Sequence, residues 1–470
     1  MKKILSCLTV IIFVGAGSAF SQTPTDDVGA RIAQLEAQLK LLAEELSKLK
    51  QSVTPAAETS GVRSPAIAAV DKSPQASGKT VGVDLPNGLK VIPYGTIYFN
   101  AFLNDAGTNN IDIPLFATPT GAGNSSASAR QTRFGIRVDG GRFGDANVSG
   151  VIEADFFGGT PAVNIGENFG VVRLRLANAR INWEKTSVVL GQDWIIFAPN
   201  NPVSIADAAI PQFAAAGNPW ARLPQARVEH RFDGGRFVVQ GALLAPQTAD
   251  STSTAAFLLQ PNSGALSRVP YLQTRAAFNA ANMFGSGKNG SIGFSTHYGR
   301  SRASSTSGPI VSQEIDSYGF ALDWNLPLQK RVVFTGETFY GSNLGGFQAG
   351  IFQNFNTDHA VRLGNSLTPD GVRGIGTRGG WAQLGITPKT AGDKLSFYGS
   401  IGLDDPEDED LISAQPKNFR SRNLAIAFDA IYKMTQHLQI GIEFRRMETS
   451  YTQSGLKKAH HLNFGAAYSF

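Results

Sequence analysis

The sequence predicts an all-β transmembrane β-barrel of about 16 antiparallel strands, preceded by a short α-helical coiled coil. Three observations carry that expectation. From Leu89 to Phe470 the dominant period is two, as in "DSYGFALDW", where Tyr318, Phe320, Leu322 and Trp324 share one face and Ser317, Gly319, Ala321 and Asp323 the other. The alternating runs are long, about nine to thirteen residues, which suits a tilted crossing of the hydrocarbon core. Short turns such as Asp233-Gly234-Gly235 alternate with long loops such as 195–223 and 343–372.

Composition agrees. Of 470 residues, 42% are hydrophobic and only 17% charged, with 51 Gly and 30 Phe, and past the first residues there is no apolar run long enough for a membrane helix. Alternation alone would also fit a soluble sandwich. Strand length, alternating loop length and aromatics gathered near strand ends favour the membrane barrel.

The chain opens MKKILSCLTVIIFVGAGSAFSQ: two lysines, an apolar stretch and then small residues. That is the layout of a secretory signal peptide, residues 1–21, with cleavage after Ala19 or after Ser21 both fitting. Leu5-Ser6-Cys7 has too little apolar sequence before it for a lipoprotein signal. Removal of the signal takes Cys7, the only cysteine, and leaves no disulfide or thiolate chemistry.

Residues 22–53 carry Val28, Ile32, Leu35, Leu39, Leu42, Leu46, Leu49 and Val53 at alternating spacings of four and three, the seam of a coiled coil. Arg31 with Glu36 and Glu45 with Lys50 complement each other across a parallel bundle. These residues specify parallel neighbours without fixing their number. The helix is about 39 Å long, too short for a stalk. Residues 54–88 are rich in Pro, Ala, Ser, Thr and Gly without periodicity and read as a flexible linker.

Residues 89–470 then form the barrel. Expected strands start near 91, 130, 145, 171, 185, 224, 235, 270, 288, 314, 330, 378, 393, 418, 436 and 458. An even number puts both barrel ends on one side, which the coiled coil makes periplasmic, with eight long loops facing outward. The last strand closes on Phe464, Ala466, Tyr468 and Phe470 at alternate positions. Terminal Phe in that setting resembles the signal read by the outer-membrane insertion machinery.

Basic residues mark the early strands. In "RQTRFGIRVDG" outward Phe134, Ile136 and Val138 leave Arg133 and Arg137 inside; in "VVRLRLANARINW" outward Leu174 and Leu176 leave Arg173 and Arg175 inside. The alternation slips near Asn178, which leaves the facing of Arg180 open. "ARLPQARVEHRF" adds Arg222, Arg227 and Arg231. A guanidinium offers a planar fork of donors to carboxylate or phosphate, and a ring of such groups favours anions in a pore. The competing reading pairs them with Asp139, Glu153, Asp155 and Glu229 as wall salt bridges. The segment 195–221 is long and apolar for a loop, so it is expected to fold into the lumen and narrow it.

Layout together with the block VRLRLANARINWEKTSVVLGQDW and the following WARLPQARVEHRF resembles the DcaP-like trimeric porins of Gram-negative outer membranes. The resemblance implies a homotrimer, a periplasmic coiled coil, contact with outer-membrane lipid and lipopolysaccharide, and uptake of small anionic solutes such as dicarboxylates. It also implies that Arg173, Arg175, Arg222 and Arg227 line the channel. Rival readings are an unselective porin, an envelope tether with a plugged barrel, and an outer-membrane enzyme.

The enzyme has no support in the motifs. The six histidines form no H-E-x-x-H and no G-x-S-x-G occurs. Ser77-Gly78-Lys79-Thr80 and Gly374-Ile375-Gly376-Thr377-Arg378-Gly379 lack the strand-to-helix setting of nucleotide sites. No cofactor, metal or nucleic acid is expected; the net charge of +5 is small for this length. The acidic run Asp404–Asp410 reads as a solvated outward loop, with divalent cations as the alternative ligand; Arg420 and Arg422 follow on the lipid-side parity of Leu424, which suits outer-leaflet phosphates.

Overall fold

The computed structural model describes residues 82–86, 88–159, 170–250, 260–307 and 312–470. The expected signal peptide and coiled coil, and most of the expected linker, lie outside the described residues. The barrel lies within the unit Ser64–Phe470.

In chain order the strands are β1 (Val83–Asp84), β2 (Lys90–Thr108), β3 (Ala117–Ser128), β4 (Arg133–Phe143), β5 (Ala146–Asp155), β6 (Arg173–Asn182), β7 (Thr186–Trp194), β8 (Arg222–Phe232), β9 (Phe237–Leu244) and β10 (Tyr271–Ala280). There follow β11 (Gly290–Ser304), β12 (Ser312–Gln329), β13 (Val332–Ser342), β14 (Phe355–Leu363), β15 (Ser366–Gly374), β16 (Gly376–Ile386), β17 (Leu395–Pro406), β18 (Arg420–Lys433), β19 (Leu438–Tyr451) and β20 (Gly455–Ser469). β2, β4–β13 and β16–β20 form one closed antiparallel ring of sixteen strands. β2 closes it, pairing with β20 from Thr96↔Ser469 to Asn104↔His461 on one edge and with β4 from Lys90↔Asp139 to Thr96↔Arg133 on the other. β3 continues β4 along the upper part of β2, and β14 and β15 make a separate hairpin inside the connection 343–375.

Alternation sends apolar side chains out all around the ring, among them Phe99, Ile152, Leu190, Phe294, Phe320, Phe428, Ile442 and Phe464. An exterior of this kind is stable against hydrocarbon, and a closed ring leaves no unpaired edge there. The opposite parity buries Asn100, Gln273, Ser295, Asp323, Glu337, Gln383, Asp429, Glu443 and Asn463 inside the ring. Phe470 exchanges both backbone hydrogen bonds with Gly95 at 3.1 Å, and its ring stays on the outside. The last aromatic is thus part of the closing seam.

Several details depart from the sequence reading. The acidic run expected as a solvated outward loop begins inside β17, where Asp404 is buried, and Asp410 is buried as well. The connection Thr452–Ser454 is a tight turn, with β19 and β20 paired right up to it from Leu438↔Tyr468 to Tyr451↔Gly455, so seven of the eight outward connections are longer loops. Leu176 points inward: a register shift between Glu153 and Ala154 places Leu174 and Leu176 on opposite faces, so the slip lies at Arg175 and not at Asn178. The same shift settles Arg180, which turns inward to Asp193 at 3.4 Å. Arg420, expected beside Arg422 on the lipid side, turns inward through a bulge between the two and lies 4.9 Å from the centre of the Phe116 ring.

Candidate functional site: the inward loop and its arginine wall

The connection 195–221 leaves β7 and runs inside the ring. Its backbone is anchored strand by strand through lumen-facing polar side chains. Gln273 on β10 accepts from the N–H groups of Ile196 and Phe197, Ser295 on β11 from Ala198 at 3.1 Å, and Glu337 on β13 from Asn200 at 3.1 Å. Gln383 on β16 both accepts from and donates to Val203; Asp429 on β18 accepts from Ile205 at 3.0 Å. The Ser204 hydroxyl donates to Glu443 on β19, and Asn100 on β2 donates to the Ala206 carbonyl. Gln131, just before β4, donates to the Ala206 carbonyl and accepts from Ala208 and Ala209. A buried backbone needs such partners, and here the alternate polar positions of the wall supply them.

The return leg packs closely on the wall. A Cβ on Gly217, whose φ is +104°, would sit 2.1 Å from the Gly380 carbonyl oxygen, so only glycine fits. Asn423 donates to the carbonyls of Ala215 and Leu115 at 2.8 and 2.9 Å, tying in the first outward connection as well. Arg445, fully buried, pairs with Asp207 of the loop and Glu443 of the wall and donates to the Pro114 carbonyl at 2.9 Å.

The loop ends its first leg against the predicted arginines. Arg173 donates to Asp155 at 2.6 and 3.0 Å and to the Ala209 carbonyl at 2.9 Å. Arg175 bridges Glu153 and Asp155 at 2.6 and 2.8 Å and is buried. Arg133 is the register partner of Asp155. Arg222 has the outward parity of Ala226 and Val228 on β8, yet its guanidinium lies 4.1 Å from the centre of the Trp194 ring and 5.0 Å from that of Trp220. Its buried Nε and Nη2 make no hydrogen bond.

The other predicted positions sit elsewhere. Arg227 donates to Asp193 at 2.7 Å and Arg231 to Glu229 at 2.9 Å. Arg137 pairs with Asp139 at 3.0 Å, close to Lys90 at the foot of the barrel and away from the inward loop.

The sequence reading missed Arg130, which pairs with Asp112 at 2.5 Å and stacks 4.0 Å above Phe157, the ring that Arg173 approaches from 5.3 Å. It precedes the alternating run, in the turn between β3 and β4, so periodicity gave no signal for it. Arg130, Arg133, Arg173, Arg175 and Arg222 thus gather around Asp112, Glu153 and Asp155. Among the described residues, guanidinium groups outnumber carboxylates there, beside an apolar shelf of Phe157, Ala209 and Trp220.

No protein-family model matches the chain, and no curated protein matches its sequence. Solved structures do. The outer-membrane channel DcaP of Acinetobacter baumannii superposes with a TM-score of 0.60 at 18% identity, over 83% of this chain and 100% of that one. OmpF of Salmonella typhi, solved with daunomycin, gives 0.50 at 12% identity, over 83% and 100%. OprB of Pseudomonas putida gives 0.50 at 10%, over 82% and 94%. At these identities the likeness is one of architecture, and the architecture is the sixteen-stranded barrel of outer-membrane porins.

Proposed function

We propose that the chain is an outer-membrane porin that passes small anionic solutes, carboxylates and dicarboxylates among them, through a constriction formed by the loop 195–221 and an arginine wall. The observation that carries this reading is the surplus of guanidinium groups over carboxylates at the loop. Arg173, Arg175 and Arg222 are the central wall residues, with Arg130 and Arg133 adding charge. Arg137, Arg227 and Arg231 line the lower wall in pairs and contribute less. A solute carboxylate would meet the half-buried Arg173 guanidinium, and its carbon body the apolar shelf beside it. Rings of basic groups of this kind favour anions.

Assembly belongs to the same proposal. Residues 22–53 would hold a homotrimer by a periplasmic coiled coil after removal of the signal 1–21, with the linker 54–88 between, and the insertion machinery would recognise the strand ending in Phe470. Outer-leaflet lipopolysaccharide would meet the outward cations Arg422, Arg446 and Lys458. A non-enzymatic role follows from the same reading.

The test is the reversal potential of the purified protein in a planar bilayer under a salt gradient, with and without a small dicarboxylate. Anion-selective current, closing in three equal steps and reduced by the dicarboxylate, is expected. A second reading, a plugged barrel acting as an envelope tether, draws on the apolar cluster that joins the loops inside the ring. It predicts no current at any voltage and loss of envelope integrity when 22–53 is deleted.

A further inference from the structure

The connection 343–375 begins with a tongue that turns into the barrel mouth before the β14–β15 hairpin. Asn343, Gln348, Gly350, Ile351 and Phe352 all have φ between +51° and +66°. Left-handed backbone is ordinary for glycine, tolerable for Asn and an outlier for a β-branched residue such as Ile351. A conformation of this kind persists only where its surroundings hold it.

Those holds converge on the strained residues. The Asp404 carboxylate on β17 accepts from the N–H groups of Gly350 and Ile351, both at 3.2 Å, and from the Thr377 hydroxyl at 2.6 Å. Arg420 donates from Nε to the Ile351 carbonyl at 2.8 Å. Trp220, at the end of the inward loop, donates its indole N–H to Gln348 at 2.8 Å and its backbone N–H to the Phe347 carbonyl at 3.0 Å.

Held in this way, Ile351 is fully buried in one apolar cluster with Ile113, Phe116, Phe157, Ala214 and Trp220. That cluster joins four separate connections: 109–116, 156–172, 195–221 and 343–375. A barrel that needed only a narrowed eyelet would not require such a bridge between its loops, and a permanently closed one would not need strain in the segment that completes it.

We propose that the tongue Leu344–Gln353 is a latch: seated on Asp404, Arg420 and Trp220 it closes the outer mouth of the pore, and its withdrawal, which relaxes the left-handed backbone, opens it. The proposal goes beyond solute preference, since it concerns when the pore conducts.

A cross-link tests it. A Cβ placed on Gly350 lies 3.9 Å from Cγ2 of Thr377, so the pair Gly350→Cys and Thr377→Cys can tie the tongue to β16, and the one native cysteine, Cys7, is far outside the barrel sequence. In planar bilayers the oxidised double variant is expected to conduct at least tenfold less than the same protein after reduction. Equal current in both states overturns the latch. Asp404→Ala, checked for folding by heat-modifiable gel mobility, reads the same contact without a cross-link. It is expected to raise the open fraction at least tenfold, and an unchanged open fraction also overturns the proposal. Both readouts are amplitudes or open fractions, whereas anion preference is read from the reversal potential, so either proposal can fail alone.

Discussion

Two walls of the same lumen bury charge in different ways. On the wall of β5–β8 the buried or half-buried charges are arginines paired with carboxylates of the same wall: Arg173 and Arg175 on Asp155 and Arg227 on Asp193 across one strand, Arg231 on Glu229 within β8. On the wall of β13–β19 they are mostly carboxylates whose partners are loop backbone groups: Glu337 on Asn200, Asp429 on Ile205, Asp404 on Gly350 and Ile351. Any buried charge needs a partner. Pairing side chain to side chain holds the strands of the wall together and leaves net charge only where arginines outnumber carboxylates; pairing side chain to backbone fixes a loop. The second wall anchors the loops, and the first is where the proposed selection would act.

Breaking the anchorage at Arg445 should have the largest effect. Its side chain holds Asp207, Glu443 and the Pro114 carbonyl together, and Arg445→Ala leaves two buried carboxylates without their counter-ion. A loss of about 3–5 kcal/mol is expected. It is measured as a lower denaturant midpoint for the heat-modifiable band, with a larger single-channel conductance in the protein that does fold.

How much of this was legible in the sequence follows from the same comparison. Period two showed the barrel and located nearly every strand, because each outward face meets the same apolar surroundings. It also showed Arg173 and Arg175, which cluster within one strand. The anchoring acids were out of reach: Glu337, Asp404, Asp429 and Glu443 stand one or two to a strand, and their shared partners are loop amides distant in sequence. Bulges were equally hidden. Leu176 and Arg420 were assigned to the wrong face because one extra residue reverses every side chain beyond it.

Selection should respond to the other wall. Arg222→Gln removes a guanidinium that packs against the rings of Trp194 and Trp220 and has no carboxylate partner among the described residues. The expected result is a fall in the anion-to-cation permeability ratio of roughly fivefold, on the order of 1 kcal/mol for one charge acting at intermediate dielectric. Stability should change little. Arg175→Gln would sharpen the contrast by reversing the weights: it strands Glu153 and Asp155, so a lower denaturant midpoint should accompany any change in reversal potential. A neutral link between the walls comes next. Gln131→Ala removes three hydrogen bonds to the loop at Ala206, Ala208 and Ala209. A cost of about 1–3 kcal/mol from unpaired buried backbone is expected, read from the same denaturant series, with the reversal potential unmoved because no charge is lost.

The smallest effect separates two neighbouring arginines. Arg422 lies on the outside of β18, exposed, while Arg420 across the bulge donates from Nε to the Ile351 carbonyl, and its backbone N–H and carbonyl exchange hydrogen bonds with the Gln353 side-chain amide. Arg422→Ala should therefore stay within about 0.5 kcal/mol of the parent, as exposed substitutions away from such contacts do, and leave conductance and selectivity as they were. Arg420→Ala frees one hold on the tongue, so it should lengthen open times while leaving the reversal potential unchanged. If the two variants behaved alike, the bulge would not turn Arg420 inward, and the division between an outer face that meets lipid and an inner face that holds loops would fail at that strand.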